Sequence, residues 1–523
     1  LFVVPSDSLG TAPAAVSNIP TLANGNLTEL LIGYTGALTS AYAPSYVMFY
    51  TNNASGQQQV MNLVLTKAAG VTSPAPTAQA VGAPFPTTSF ICNTQNMLSN
   101  IAQPTSVVIL FQMDTTSTSC SSTDTYTYGE LTYGASATTA PTPVLQGATI
   151  TTDNLNNSAQ IYTAGGTLAG FIIQAGSNLL FYPGANFSAT PTTLVSGISG
   201  ASLFSVNATN SLQMWRITAT SGSTAIYRVT AAGAATSVYP YTSTDNLFSS
   251  QNAKDANATY FVDAPASGSP YIVELPWSGT GSATYTPSGS GTVGLLGSNG
   301  TNLDYWENTQ GPGVTGAVPG VLNSLPLTAF SNATVTPTPV YQLASTNVGL
   351  LNSFVNTDSS GSSYAYLDPL DETVNPYNYS SVLTSFSSNT GQVSTASALF
   401  PVVIDPVSLI GYTAPSEAML ELQGISDSSN GWGGASLVSV NSATNAATAF
   451  TGLSGQAYTF PAGYTAPYGN GFISLGSSGQ DVGIGIVQLV PQGSSPSIVA
   501  FFNATTHQIV NYSSGQSNFF IWY

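Results

Sequence analysis

Side chains able to do chemistry are few in this 523-residue chain. There is one histidine, His507, so any Ser-His-Asp triad has to use it. No Gly-x-Ser-x-Gly elbow stands near a strand-to-helix turn. His507 follows Asn503-Ala-Thr-Thr in a stretch that reads as a terminal hairpin, and an exposed hairpin histidine is the expectation. The same scarcity excludes a histidine-rich zinc, copper or haem site. Carboxylates are the remaining route, because glycoside hydrolysis needs only two acids at a suitable separation. The local candidates are Asp304 with Glu307, and Asp368 with Asp371 and Glu372. The second group also reads as a solvated loop opening at an Asp-Pro turn.

Hard oxygen ligands for Ca²⁺ could come from Asn356, Asp358 and Ser360 before Gly361, or from Asp427 and Asn430 before Gly431. Neither run completes an EF-hand loop, and ordinary Asx-rich turns are the plainer reading. No cofactor is therefore expected, Ca²⁺ being the one weak candidate. The five tryptophans, Trp215, Trp277, Trp306, Trp432 and Trp522, could stack on sugar rings where exposed at a propeller face, core packing being the default for most of them. Trp432, in Asn430-Gly-Trp-Gly-Gly434, is the candidate sugar contact, since a glycine-flanked aromatic on a loop tends to be exposed.

Composition narrows the setting. Charged residues make up 5 % of the chain, against roughly a quarter in an average domain. The cations are Lys67, Arg216, Arg228 and Lys254, too few for phosphate neutralisation, so nucleic acid is excluded as a partner. The net charge of −17 comes from 21 carboxylates without a long acidic run. A surface solvated by hydroxyls and amides suits acidic surroundings, because few groups on it titrate, and it suits a glycan coat equally.

Cys92 and Cys120 lie 28 residues apart, and a single disulfide in an oxidising compartment is expected, two buried thiols being the alternative. N-linked sequons begin at Asn26, Asn53, Asn156, Asn186, Asn207, Asn257, Asn299, Asn332, Asn378, Asn503 and Asn511. With 37 Asn and so many Ser and Thr, chance supplies roughly ten, so placement carries the information rather than number. Several sit in turns beside strands. No apolar run is long enough to span a bilayer. The start Leu1-Phe-Val-Val-Pro5 lacks the features of a signal peptide and reads as a processed N-terminus.

The elements that must position these residues read as strands. Apolar spacing at 3.6 residues is not sustained anywhere, and short runs of Val, Ile, Tyr, Phe and Thr alternate with Gly, Pro, Asn and Ser. Short helical turns are expected only near Gln95–Ala102 and Ser416–Leu420. A polar turn followed by a strand recurs: at Asn52, Asn207, Asp255, Ser298, Asp358, Asp427 and Ser477. From Asn207 onward the copies lie about 45 to 70 residues apart, which suits a four-stranded propeller blade. The fold expected is all-β: one β-propeller over 1–523 with about seven four-stranded blades, tandem β-sandwiches being the alternative. The apolar ends, Phe2–Val4 and Phe519-Phe520-Ile521-Trp522-Tyr523, either close one blade together or donate a strand to a neighbouring subunit.

In blade length and hairpin rhythm the chain resembles secreted propellers of the kelch and WD-like kind, without their Gly-Gly or Trp-Asp signatures. In its charge-poor, Ser/Thr/Asn-rich character it is similar to surface-layer and extracellular filament glycoproteins of archaea. The missing catalytic inventory, the neutral polar surface and the apolar terminal strands point to a structural, non-enzymatic subunit outside the cell or on its surface, self-associating as a homo-oligomer or polymer and decorated with glycans. A carbohydrate-binding propeller in adhesion is the second expectation, and a carboxylate-dependent glycoside hydrolase the third.

Overall fold

The structure is a computed structural model. It describes the strands named below, and residues with their side chains chiefly over 157–184, 189–241, 252–265, 268–279, 281–288, 293–307, 320–342, 448–459, 498–503 and 506–511. The chain is all-β, and its sheets are successive antiparallel meanders, the blade pattern of a β-propeller.

By contact the chain divides into two compact units, residues 1–240 with 518–523, and 241–517. The first unit opens with β1 (Phe2–Pro5) and β2 (Ala14–Ala15). Four sheets follow in chain order: β3 (Glu29–Leu31), β4 (Ser45–Asn52), β5 (Gln58–Leu65) and β6 (Thr77–Ala80); then β7 (Phe90–Met97), β8 (Ser106–Asp114), β9 (Tyr126–Gly134) and β10 (Val144–Ala148). The third comprises β11 (Ser158–Tyr162), β12 (Leu168–Ala175), β13 (Asn178–Pro183) and β14 (Thr192–Ser196). The fourth comprises β15 (Ile198–Val206), β16 (Leu212–Ala219), β17 (Thr224–Thr230) and β18 (Ala235–Tyr241).

The second unit continues with β19 (Ala253–Lys254), β20 (Ala258–Asp263), β21 (Tyr271–Pro276) and β22 (Ala283–Tyr285). Next come β23 (Thr292–Ser298), β24 (Asn302–Asn308), β25 (Val321–Pro326) and β26 (Thr338–Gln342), with a 3-10 helix over Leu327–Phe330 before β26. After them stand β27 (Val348–Thr357), β28 (Ser363–Asp371), β29 (Thr384–Ser387) and β30 (Gln392–Thr395), then β31 (Val407–Ala414), β32 (Glu417–Leu422), β33 (Ser436–Asn441) and β34 (Ala446–Ala449). The last sheet joins β35 (Tyr464–Thr465) and β36 (Phe472–Ser474), both paired with β37 (Ile484–Pro491), to β38 (Ile498–Asn503) and β39 (Gln508–Tyr512). Strand β40 (Phe519–Trp522) pairs in parallel with β1, Phe2 opposite Phe519 and Val4 opposite Ile521, giving a three-stranded sheet of order β2-β1-β40.

Burial follows the meander. Every residue of β11 and β20 is buried, whereas β14, β22 and β26, the last strands of their sheets, are exposed or half-buried. First strands of successive sheets also touch: β11 with β15, β19 with β23, and β23 with β27. The sheets that begin at β11 and β19 thus bury their early strands, as blades do.

Among the described residues, each unit holds an apolar core. Between β11–β14 and β15–β18 lie Ile172, Leu179, Phe181, Trp215, Ile217 and Val229. Between β19–β22 and β23–β26 lie Tyr260, Ile272, Val293, Leu303, Tyr305 and Phe330. Phe181 is fitted against two glycines, Gly170 on its own sheet and Gly233 on the next, where an added Cβ would run into the ring.

The strands read from sequence fall where β5, β16, β17, β20, β21, β24, β28, β33 and β37 stand. Two local expectations are corrected. Ser416–Leu420 is not helical, since β32 begins at Glu417, and Gln95 belongs to β7. Cross-strand pairing overrides the helix-forming Glu-Ala-Met-Leu run, as it does wherever a strand has partners on both sides. Sheets also outnumber the blades inferred from turn spacing: nine with four or more strands and one with three, among the described residues. The recurring turn is the reason. It leads from first to second strand at Asn207, Asp255 and Ser298 but follows the second strand of its sheet at Asn52, so its spacing does not count sheets.

Candidate functional site

The titratable side chains that the structure describes in most detail gather on β20–β25. β24 pairs with β25 without a register shift, Asn302 opposite Pro326 through Glu307 opposite Val321. Side chains on such a strand alternate strictly between faces. Leu303, Tyr305 and Glu307 therefore share one face, and Asp304 and Trp306 the other. The expected pairing of Asp304 with Glu307 is corrected here: both are buried, but the sheet lies between them. Two carboxyls divided in this way cannot flank one glycosidic bond.

Asp304 is 1 % exposed, and neither carboxyl oxygen has a hydrogen-bond partner. Its cross-strand neighbour Ser324 is the polar side chain that favours the charged form, without reaching hydrogen-bond geometry. Burial outweighs it and pushes the carboxyl up to about 7, so Asp304 stays neutral in mild acid. Trp306, beside it on the same face, lays its ring over Gly320, a position with no room for a Cβ.

On the opposite face, Asn323 Nδ2 donates to Glu307 Oε2 at 3.5 Å, a long contact. Tyr305 packs edge-on against Tyr285, ring centroids 6.3 Å apart. Burial, the neighbouring phenol and Glu307 all raise the Tyr305 hydroxyl, which keeps it protonated.

A second carboxylate, Asp255, is held by five groups. Its Oδ1 accepts the backbone N–H of Asn257 at 2.7 Å and of Ala258 at 3.0 Å. Its Oδ2 accepts Tyr260 Oη–H and Ser298 Oγ–H, each at 2.8 Å, and its carbonyl accepts Trp277 Nε1–H at 2.9 Å. Ser298 lies on β23 of the following sheet, so this carboxylate ties two sheets together. Glu274, opposite Tyr260, is raised by burial and then by the charge of Asp255. All the donors around Asp255 come from the protein itself, which suits a structural role better than proton transfer.

The equivalent tie between β11–β14 and β15–β18 uses amides. Asn210 Nδ2 donates to Gln160 O at 3.1 Å, Gln213 Nε2 to Asn210 Oδ1 at 2.7 Å, and Trp215 Nε1 to Gln213 Oε1 at 2.9 Å. Gln174 Oε1 receives the backbone N–H of Ala201 at 2.8 Å. None of these amides stands out in the sequence, because the partners Gln160 and Ala201 lie 27 or more residues away in another hairpin, and only the contacts of Gln213 with Asn210 and Trp215 are local. Asp255 was visible as a turn residue, and Ser298 as the start of the next turn.

Other sequence candidates are placed as follows. His507 is half-buried in the turn between β38 and β39 with a φ of 50°, its ring 5.5 Å from Phe450, so it is a packed turn residue rather than an exposed one. Trp215, Trp277 and Trp306 are buried. Asp368 and Asp371 lie on β28, Asn356 on β27 and Cys92 on β7, while Phe519, Phe520, Ile521 and Trp522 form β40. Trp432, Cys120, Glu372, Asp358, Ser360, Gly361, Asp427, Asn430, Gly431 and Tyr523 lie outside the described residues, as do Asn26, Asn53, Asn156, Asn186 and Asn378. Among the described residues no group of three or more His, Cys, Asp or Glu is placed to hold a metal ion. No helix among them is long and apolar enough to cross a membrane.

No protein-family model matches the chain, and no curated protein matches it in sequence. Solved structures give distant likenesses. TolB from Acinetobacter baumannii aligns with a TM-score of 0.28 at 10 % identity, over 66 % of this chain and 79 % of its own. A puromycin-hydrolyzing peptidase of Mycobacterium tuberculosis aligns with a TM-score of 0.34 at 9 % identity, over 76 % of this chain and 56 % of its own. An oligogalacturonate lyase from Vibrio parahaemolyticus gives 0.30 at 8 % identity, over 69 % of this chain and 86 % of its own. Scores this low carry no argument about chemistry, and the blade pattern rests on the strand order itself.

Proposed function

We propose that this protein is a structural subunit of an extracellular or cell-surface assembly, a glycoprotein that builds a filament, sheath or lattice. The observation that carries the reading is the nature of the ties between successive sheets. The side-chain amides of Asn210 and Gln213, both donating to the backbone carbonyl of Gln160, and that of Gln174 join two sheets, and the carboxylate of Asp255 does the same between the next pair. Neutral hydrogen bonds hold their strength across pH and salt, which is what a scaffold exposed to changing surroundings requires. The buried acids Asp304 and Glu307 face opposite ways and so form no catalytic pair.

Self-association is assigned to the sheet formed by the chain ends. Its order places β40 at one edge, where a strand from a second copy can add by backbone pairing. Sedimentation and electron microscopy of the purified protein over a concentration series test this reading. Ordered assemblies that grow with concentration support it, and a monomer at every concentration argues against it.

A further inference from the structure

We infer that Asn332 is a glycan-bearing residue and that Asn207, which has the same Asn-Ala-Thr sequence, stays bare; the inference rests on the surface-glycoprotein reading above.

Four sequons are described through all three of their residues, beginning at Asn207, Asn257, Asn299 and Asn332. Transfer of a glycan needs the Asn amide nitrogen free and both it and the hydroxyl residue accessible. At Asn332 all of this holds. Residues 331 to 334 are exposed in succession after the 3-10 helix. The knob is fixed by its backbone, with Asn332 N–H on Thr328 O at 2.9 Å and Val335 N–H on Asn332 O at 3.1 Å. Asn332 Oδ1 accepts Thr334 N–H at 3.1 Å and Thr334 Oγ1–H at 2.8 Å. The carbonyl end of the amide is therefore anchored, and Nδ2 points its two hydrogens away from these partners.

At Asn207 both ends of the amide are occupied. Oδ1 accepts the N–H groups of Ser211 at 2.8 Å and Leu212 at 3.0 Å, closing the hairpin from β15 to β16. Nδ2 donates to Thr209 Oγ1 at 3.3 Å and Ser211 Oγ at 3.2 Å. A sugar on that nitrogen replaces one of its two hydrogens and so displaces one of these two contacts. Asn257 is exposed, but its sequon threonine, Thr259, is wholly buried with its hydroxyl on Ala253 O at 3.3 Å. Asn299 is half-buried and caps Thr301 and Asn302.

The co-reactant is a lipid-linked oligosaccharide phosphate, delivered by a transferase. The bond formed joins Asn332 Nδ2 to the anomeric carbon, the bond broken joins that carbon to phosphate oxygen, and the phosphate leaves with the electron pair. One amide proton passes to base.

The test secretes the full chain from a host that N-glycosylates a co-expressed control, and maps chymotryptic peptides of the folded protein by mass spectrometry. The expected result is glycan at Asn332, lost in Thr334→Ala and kept in Thr334→Ser, with Asn207 unmodified. Glycan at other sequons with Asn332 bare, or glycan on Asn207 in folded protein, overturns the inference and leaves the glycoprotein reading standing. No glycan at any sequon, with the control modified, overturns both.

Discussion

Ser298 Oγ donates to Asp255 Oδ2 at 2.8 Å, and this bond links two successive sheets through one buried carboxylate. Because Tyr260 and two backbone amides converge on the same carboxylate, its removal strands several buried donors at once. Asp255→Ala is expected to cost about 3 kcal/mol or more, and Ser298→Ala about 1 kcal/mol, by denaturant unfolding. Combining Ser298→Ala with Asp255→Ala should add little beyond Asp255→Ala alone. Fully additive losses would show that the two residues do not act through this bond.

Asp304 makes stability depend on pH in a direction opposite to an ordinary salt-bridged acid. Its folded value is raised to about 7 from 3.8 by burial. The neutral carboxyl is tolerated inside the fold, so its contribution is intact below the unfolded value and is lost as pH rises through 7. Glu274 is shifted the same way, by burial and by Asp255. The melting temperature should fall between pH 4 and pH 8. Asp304→Asn should flatten that slope, recovering up to about 4 kcal/mol at pH 8. A wild-type stability that rises from pH 4 to pH 8 would refute the assignment.

Gly233 has a φ of +73° and faces the ring of Phe181. Gly222, with a φ of +90°, faces open space. Gly222→Ala should therefore cost only the backbone term, about 1 kcal/mol. Gly233→Ala adds a clash with a buried ring, for a total of about 3 kcal/mol. Equal losses at the two sites would mean that Phe181 yields freely.

Much of this fold is legible in the sequence because strands here are short, β-branched or aromatic, and closed by Asx-rich turns. Leu212–Thr218 and Thr259–Asp263 can be placed to within a residue, and β24 is recognisable from Leu303–Trp306. That last stretch also held the answer on Asp304 and Glu307. An odd separation on a strand sends two side chains to opposite faces, so the pair was already divided once the run was read as β. Sheet number was less legible, since the same turn chemistry serves different connections in different sheets. The ties between sheets were not legible at all. The Gln213 amide meets the backbone carbonyl of Gln160 across 53 residues and Asp255 meets Ser298 across 43, and nothing in the sequence points either side chain to so distant a partner.

The central claim is that this is a self-associating scaffold whose sheets are tied by buried amides and one buried carboxylate. Sedimentation velocity of the purified chain, run from dilute to concentrated samples at acidic and at neutral pH, tests it most directly. The account predicts species larger than one chain that grow with concentration and persist at both pH values, since few of the described ties titrate. A single monomeric boundary at every concentration and both pH values would contradict it.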